Sequence, residues 1–238
     1  MATVLLLRHG RTPANADGSL AGRTAVSLDE IGEAQARAVG ERLSGVPLAA
    51  VVSSPLARCL RTLELALPAV TPQPEPGLIE CGYGDWEGQS LKRLARDPLW
   101  RVVQQHPSAV SFPGEAGESM AAMSARAVSS VRAWDERVTR EHGPQALWLA
   151  CSHGDVIKAI VADATGTHLD LFQRIVVDPG SITVIAYTPG RPFLVRLNDT
   201  GAPLRALMPP KRRRARRART PGSGGSDAVV GGGAGPGP

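Results

Sequence analysis

Apolar and polar positions along this chain follow two periods in turn. A β-branched and aliphatic run at residues 3–7 ends at Arg8-His9-Gly10 and a turn-prone stretch reaching Gly22, the pattern of a buried strand that delivers a loop. Over residues 29–43 apolar side chains recur at helical spacing (Ile31, Ala34, Ala38, Val39, Leu43), with Ser27 or Asp29 available as the cap. Residues 49–52 read as a second buried strand, Ser53-Ser54-Pro55 as a turn, and residues 56–67 as a helix stopped by Pro68. A short strand is expected near 70–73, an irregular glycine-rich stretch at 78–88, and a helix over 90–105 interrupted near Pro98. The longest helical pattern spans 118–142, its inward stripe being Met120, Met123, Ala127, Val131, Trp134 and Val138. Residues 146–151 form a third apolar run ending in Ser152-His153-Gly154, 156–164 the next helix, and 182–187 with 193–197 a hairpin around Pro189-Gly190. No internal repeat is present. Strands alternating with helices predict an α/β fold: a three-layer α/β/α arrangement around a mostly parallel central sheet, closed by an antiparallel element.

Composition narrows this picture. At 238 residues and 42% hydrophobic, the chain can bury one substantial core. Its apolar runs fall far short of the roughly 20 residues of a membrane helix, and none resembles a signal peptide. The net charge of +5 invites a nucleic-acid reading, but the excess sits in KRRRARRAR at residues 211–219, and Asp227 is the only acid beyond Met208. The remainder is close to electroneutral. The basic run has no interleaved aromatics to stack bases and leads into a Gly/Pro-rich stretch without apolar periodicity, so residues 208–238 are expected to be a disordered tail and nucleic-acid binding is not expected. Three scattered cysteines (Cys59, Cys81, Cys151) show no metal or disulfide spacing, which fits a reducing cytoplasm. Oligomeric state stays open, a homo-oligomer included.

In open α/β sheets ligands bind outside the carboxyl ends of the strands, and three strands here release polar groups at that edge. They are Arg8-His9-Gly10-Arg11-Thr12, then Ser53-Ser54 leading to Arg58, then Ser152-His153-Gly154. Each has an ordinary structural reading alone. Their convergence matters, because guanidinium forks suit phosphate oxygens and an imidazole can attack phosphorus while its other nitrogen is held by a carbonyl. A phosphate ester is the expected ligand. Other phosphatase chemistries lack their marks: no cysteine is followed six positions later by arginine, and there is no convincing D-x-D pair, two-metal cluster or P-loop.

The chain resembles the histidine phosphatase superfamily, the phosphoglycerate-mutase-like proteins. The residues that carry the likeness are Leu6-Leu7-Arg8-His9-Gly10-Arg11-Thr12 with Asn15, Leu20-x-Gly22-Arg23, Ser53-Ser54-Pro55-Leu56-x-Arg58, Leu78-x-Glu80, Gly84-x-Trp86-Glu87-Gly88, Gly117-Glu118-Ser119 and Ser152-His153-Gly154. They run in the family's order over about residues 3–188. The resemblance implies a catalytic domain over residues 1–207, with His9 as the nucleophile that becomes a phosphohistidine, and Glu80 as proton donor and later base. It further implies that Arg8, Arg58 and His153 hold the transferring oxygens, and that Asn15, Gly154, Gly22 and Arg23 contribute to phosphate or substrate binding. Glu80 should then have a raised pKa and His9 a neutral attacking nitrogen. Neither metal nor cofactor is implied, and the expected partner is a small phosphorylated metabolite.

The family contains hydrolases and mutases, and some similar bacterial chains carry a phosphomutase label. Family mutases have a longer segment between the proton-donor glutamate and the second histidine. They also tend to place a hydroxyl residue before the glycine matching Gly22, where this chain has Ala21. The resemblance therefore favours a phosphatase of the histidine acid phosphatase type. The alternatives are a phosphoglycerate-type phosphomutase, or a phosphatase whose basic tail also binds nucleic acid.

Overall fold

The computed structural model describes residues 1–203 and Gly231. The boundary expected between 207 and 208, and the basic run at 211–219, lie outside the described residues.

Six strands form one sheet: β1 (Thr3–Arg8), β2 (Leu48–Ser53), β3 (Gln73–Pro74), β4 (Leu147–Ser152), β5 (Ile182–Ala186) and β6 (Phe193–Asp199). Their spatial order is β3-β2-β4-β1-β5-β6. The first four strands run parallel, and β5 and β6 close one side antiparallel. The helices are α1 (Pro13–Asp17), α2 (Glu30–Leu43), α3 (Ala57–Ala66), α4 (Leu91–Leu94), α5 (Pro98–Gln105), α6 (Met120–His142) and α7 (Gly154–Ala164).

Side chains alternate across a strand, so each central strand feeds two cores. Leu5, Leu7, Val51, Leu149 and Cys151 pack with Val39 and Leu43 of α2 and Cys59 and Leu63 of α3. Val4, Leu6, Val52, Trp148 and Ala150 pack with Met123, Ala127 and Val131 of α6 and Ile157 and Ile160 of α7. The three-layer α/β/α architecture follows directly. No helix among the described residues is long and apolar enough to cross a membrane.

The long helical pattern appears as α6, capped by the Ser119 hydroxyl, which accepts from the Ala122 N–H. Trp134 of the expected stripe is only half-buried, and Asp135 is fully buried beside it, where its carboxylate accepts from Trp148 Nε1. The pattern over 90–105 is two helices separated before Pro98, as the interruption suggested. The α2 stripe needs correction. Ile31, Ala34 and Ala38 face outward, and the buried row is Gly32, Ala36, Val39 and Leu43. Gly32 packs so closely on the loop after β1 that a Cβ there would run into the Arg11 carbonyl oxygen, and a Cβ on Gly10 would meet the Gly32 carbonyl. A count of apolar side chains passes over a glycine, although here the glycine makes the contact. Of the two possible caps, Asp29 is the one used, accepting from the Gly32 N–H at 2.7 Å.

Candidate active site

The parallel register aligns the strand ends. Arg8 lies opposite Ser152 and Ser53 opposite Cys151, so His9, Ser54 and His153 leave the sheet side by side. Backbone bonds from His9 N–H to the Ser152 carbonyl (3.0 Å) and from Ser54 N–H to the Cys151 carbonyl (2.9 Å) hold the three exits together.

Hydrogen bonds assign the two imidazoles. His9 Nδ1 lies 2.7 Å from the Gly10 carbonyl oxygen, which can only accept, so Nδ1 carries the proton and Nε2 the lone pair. Arg58 Nε–H is shared between that Nε2 (3.2 Å) and His153 Nδ1 (3.2 Å). His153 Nδ1 is therefore the acceptor of its ring, and Nε2–H donates to Ser54 Oγ at 2.7 Å. The two rings stand with centroids 5.2 Å apart. Both histidines and Arg58 are buried. Burial, with the Arg58 cation next in weight, holds both imidazoles well below their usual pKa and keeps them neutral.

Arg58 is fixed from behind as well. Its Nη2 donates to the Gly22 carbonyl (2.7 Å) and Nη1 to the Thr24 carbonyl (3.3 Å), tying α3 to the segment between α1 and α2. Arg8 is fully buried at the end of β1, where Nη1 donates to the Val177 carbonyl at 2.7 Å. Its pKa is lowered to about 10 by burial, so the guanidinium remains a cation across the neutral range.

Glu80 is buried in the irregular stretch after β3 and accepts from the Cys81 N–H at 3.0 Å. Burial first, and then the Asp155 carboxylate, raise its pKa to about 7. Tyr83, which shares the cavity wall with Glu80, meets Phe112 edge-on at 4.9 Å, and Trp86 packs against both Phe112 and Trp100. Arg126 of α6 secures the loop, donating to the carbonyls of Gly77, Ile79 and Glu80 while pairing with Glu118.

One cavity gathers His9, Asn15, Gly22, Arg58, Glu80, Tyr83 and Gly231 on its walls. Asn15 belongs to α1, where its carboxamide oxygen accepts from Thr12 N–H and Oγ–H, so the group it offers the cavity is its NH₂. Arg23 is turned to the back of the Glu80 loop, donating to the Glu80 carbonyl (3.0 Å) and pairing with Glu118 (2.9 Å). His153 adjoins the cavity through Arg58, and Gly154 opens α7 beside it. Arg11 and Arg61 are occupied by Asp29 and by Glu33 with Glu64, respectively.

Sequence reasoning missed Ser54's bond to His153, Arg126, Tyr83 and Asp155. Asp155 and Lys158 carried the one available signal, two charges three apart in the apolar first two turns of α7. Both are buried, with Asp155 accepting from Tyr83 Oη–H at 2.8 Å and facing Lys158 Nζ at 3.4 Å.

The chain is 31% identical over 204 residues to an acid phosphatase of Mycobacterium tuberculosis, covering 84% of this chain and 94% of that protein. It is 31% identical over 169 residues to a 2,3-bisphosphoglycerate-dependent phosphoglycerate mutase 2 of Gloeobacter violaceus, covering 68% of this chain and 75% of that protein. Among solved structures, Bacillus stearothermophilus YhfR superposes with a TM-score of 0.74 at 28% identity, covering 84% of this chain and 98% of that one. Residues 4–200 match the histidine phosphatase superfamily (branch 1), and with its six-stranded sheet the chain belongs to that family, as a phosphatase or phosphomutase.

Proposed function

We propose that this protein is a metal-independent phosphomonoesterase that acts on a small phosphorylated metabolite through a phosphohistidine at His9. The observation that carries the reading is the hydrogen bond from His9 Nδ1 to the Gly10 carbonyl, which leaves Nε2 unprotonated in a pocket shared with Arg58 and Glu80. In the first step Nε2 forms a bond to phosphorus as the ester P–O bond breaks, and Glu80 gives its proton to the leaving oxygen. In the second, the Glu80 carboxylate takes a proton from water, whose oxygen attacks phosphorus and releases phosphate and neutral His9. Covalent catalysis divides one hard displacement into two.

Arg8 and Arg58 bear the charge on the transferring oxygens, with Asn15 as a further donor, and His153, whose Nε2–H is engaged by Ser54, orients Arg58 through Nδ1. Removing one such donor typically costs on the order of 10²- to 10³-fold in rate. The Arg58 Nε–H that rests on His9 Nε2 is released to a phosphoryl oxygen as attack begins. Arg23 positions Glu80 through the backbone, Gly22 supplies the carbonyl that holds Arg58, and Gly154 is the first residue of α7. A pKa near 7 suits Glu80 to both of its roles at neutral pH.

A mutase reading has one specific support, the likeness to a phosphoglycerate mutase. The shorter segment between Glu80 and His153 favours hydrolysis, because water then competes better for the phosphohistidine. Phosphate release from an aryl phosphate in EDTA at pH 5–8, comparing the intact protein with His9→Ala, tests the assignment. The reading expects turnover by the first and none by the second. Equal turnover by both sinks the role of His9, and turnover by neither, with phosphoryl exchange between phosphoglycerates, favours the mutase.

A further inference from the structure

Phosphoryl binding and acid catalysis make opposite demands on this pocket. The cations that meet the phosphoryl oxygens, Arg8 of β1 and Arg58 of α3, both favour an ionised Glu80, whereas Glu80 must begin protonated. Arg23 and, from α6, Arg126 add positive charge behind it, each donating to the Glu80 carbonyl, although both also pair with Glu118. On the acid's own loop, burial keeps the Cys81 thiol and the Tyr83 phenol protonated and uncharged, and His9 across the cavity is neutral. The acid therefore needs an anion that faces it from another element.

Asp155 fits that requirement. It lies in the first turn of α7, is fully buried, and accepts from three donors: Tyr83 Oη–H at 2.8 Å and Gly231 N–H at 3.0 Å on Oδ2, and Lys158 Nζ at 3.4 Å on Oδ1. Three donors at a helix N-terminus hold such a group as a carboxylate. Tyr83 and Gly231 line the same cavity as Glu80, so Asp155 Oδ2 sits one hydrogen bond behind the cavity wall. Lys158, on the other oxygen, is itself buried and donates to Gln173 Oε1 at 3.0 Å. We propose that Asp155 is a positioning residue for the catalytic acid: its fixed negative charge, anchored by Tyr83 and Lys158, keeps the proton on Glu80 against Arg8 and Arg58 until the leaving oxygen takes it. After burial, Asp155 is the larger influence on Glu80, ahead of Arg58. The inference rests on the phosphomonoesterase reading and adds a residue to that same site.

Two substitutions of opposite sign, made in the full chain, test it on the alkaline limb of kcat/KM, which reports the free protein. Asp155→Asn keeps an acceptor for Tyr83 but removes the anion, so Glu80 loses its proton more readily and the limb moves to lower pH. Lys158→Met removes the cation that partly neutralises Asp155, so the limb moves to higher pH. Each shift is expected to be about half a pH unit or more. The position of the limb does not depend on the fraction folded, and titration of the substrate is common to all three proteins. Carboxyl ¹³C NMR of Glu80 without substrate, its signal assigned with Glu80→Gln, reads the same quantity directly. Its midpoint should rise in the order Asp155→Asn, intact protein, Lys158→Met. A midpoint unchanged to within about 0.2 unit in either variant, or shifts of the same sign in both, would overturn the proposal. The expected order without turnover of any phosphomonoester counts against the phosphatase reading alone. Turnover that depends on His9, with one midpoint in all three proteins, overturns this inference alone.

Discussion

Arg58 uses one guanidinium to keep two histidines neutral, to orient their lone pairs and to anchor the loop that walls the cavity. Because burial and this cation hold His9 deprotonated well below its ordinary range, the acid limb of kcat/KM should lie below the pH where a free imidazole titrates. The alkaline limb belongs to Glu80, which must begin protonated: activity is present below its pKa of about 7 and falls tenfold per unit above it. A pH–rate series on the intact protein and on Glu80→Gln checks this, the variant losing about 10²-fold or more and the alkaline limb with it; a rate still rising above pH 9 contradicts the assignment. Arg58→Met should cost about 10²- to 10³-fold and move the acid limb upward in pH only part of the way, since burial, the larger cause of the lowered His9 pKa, and the Arg8 charge both remain. The convergence of Arg8, His9, Arg58 and His153 was legible because short motifs at or just after strand ends carry them, whereas Glu80 entered only through the family resemblance. Tyr83, Asp155 and Arg126 were not, because what each does depends on a partner from a distant element.

The α2 helix shows where periodicity succeeds and where it misleads. Its extent is readable to within a residue or so, yet its inward face is set by Gly32 against the loop after β1, a contact no hydrophobic count registers. Helix propensity predicts that Gly32→Ala stabilises by about 1 kcal/mol. The backbone overlap predicts the opposite sign, a loss of about 1–3 kcal/mol, measurable by urea unfolding. The five-residue α1 was missed because it has no buried residue and is held by the reciprocal Thr12–Asn15 cap rather than by an apolar stripe. Strand β3 shrinks to two residues because Gln73 and Pro74 are both exposed at the sheet edge, where little packing extends it. On α6, Arg126 holds three carbonyls of the Glu80 loop. Arg126→Met should lower kcat about 10-fold to 100-fold with a smaller change in KM, with partial recovery in Arg126→Lys; an unchanged kcat would show that the loop holds itself.

At the scale of the whole molecule, placing β4 between β1 and β2 turns three separate motifs into one site. That placement is not local information: the alternation of strands and helices announces a parallel sheet, but strand order decides that His9, Arg58 and His153 meet. The antiparallel β5 and β6 complete the sheet, and the segment between them and α7 provides Val177, whose carbonyl orients Arg8. The central claim is covalent phosphoryl transfer to His9, and rapid alkaline quench of the protein with a ³²P-labelled phosphomonoester tests it most directly. The account predicts a base-stable, acid-labile phosphoprotein that forms and decays at least as fast as phosphate appears, and none in His9→Ala. Steady phosphate release with no such species, or its full retention in His9→Ala, would contradict the account.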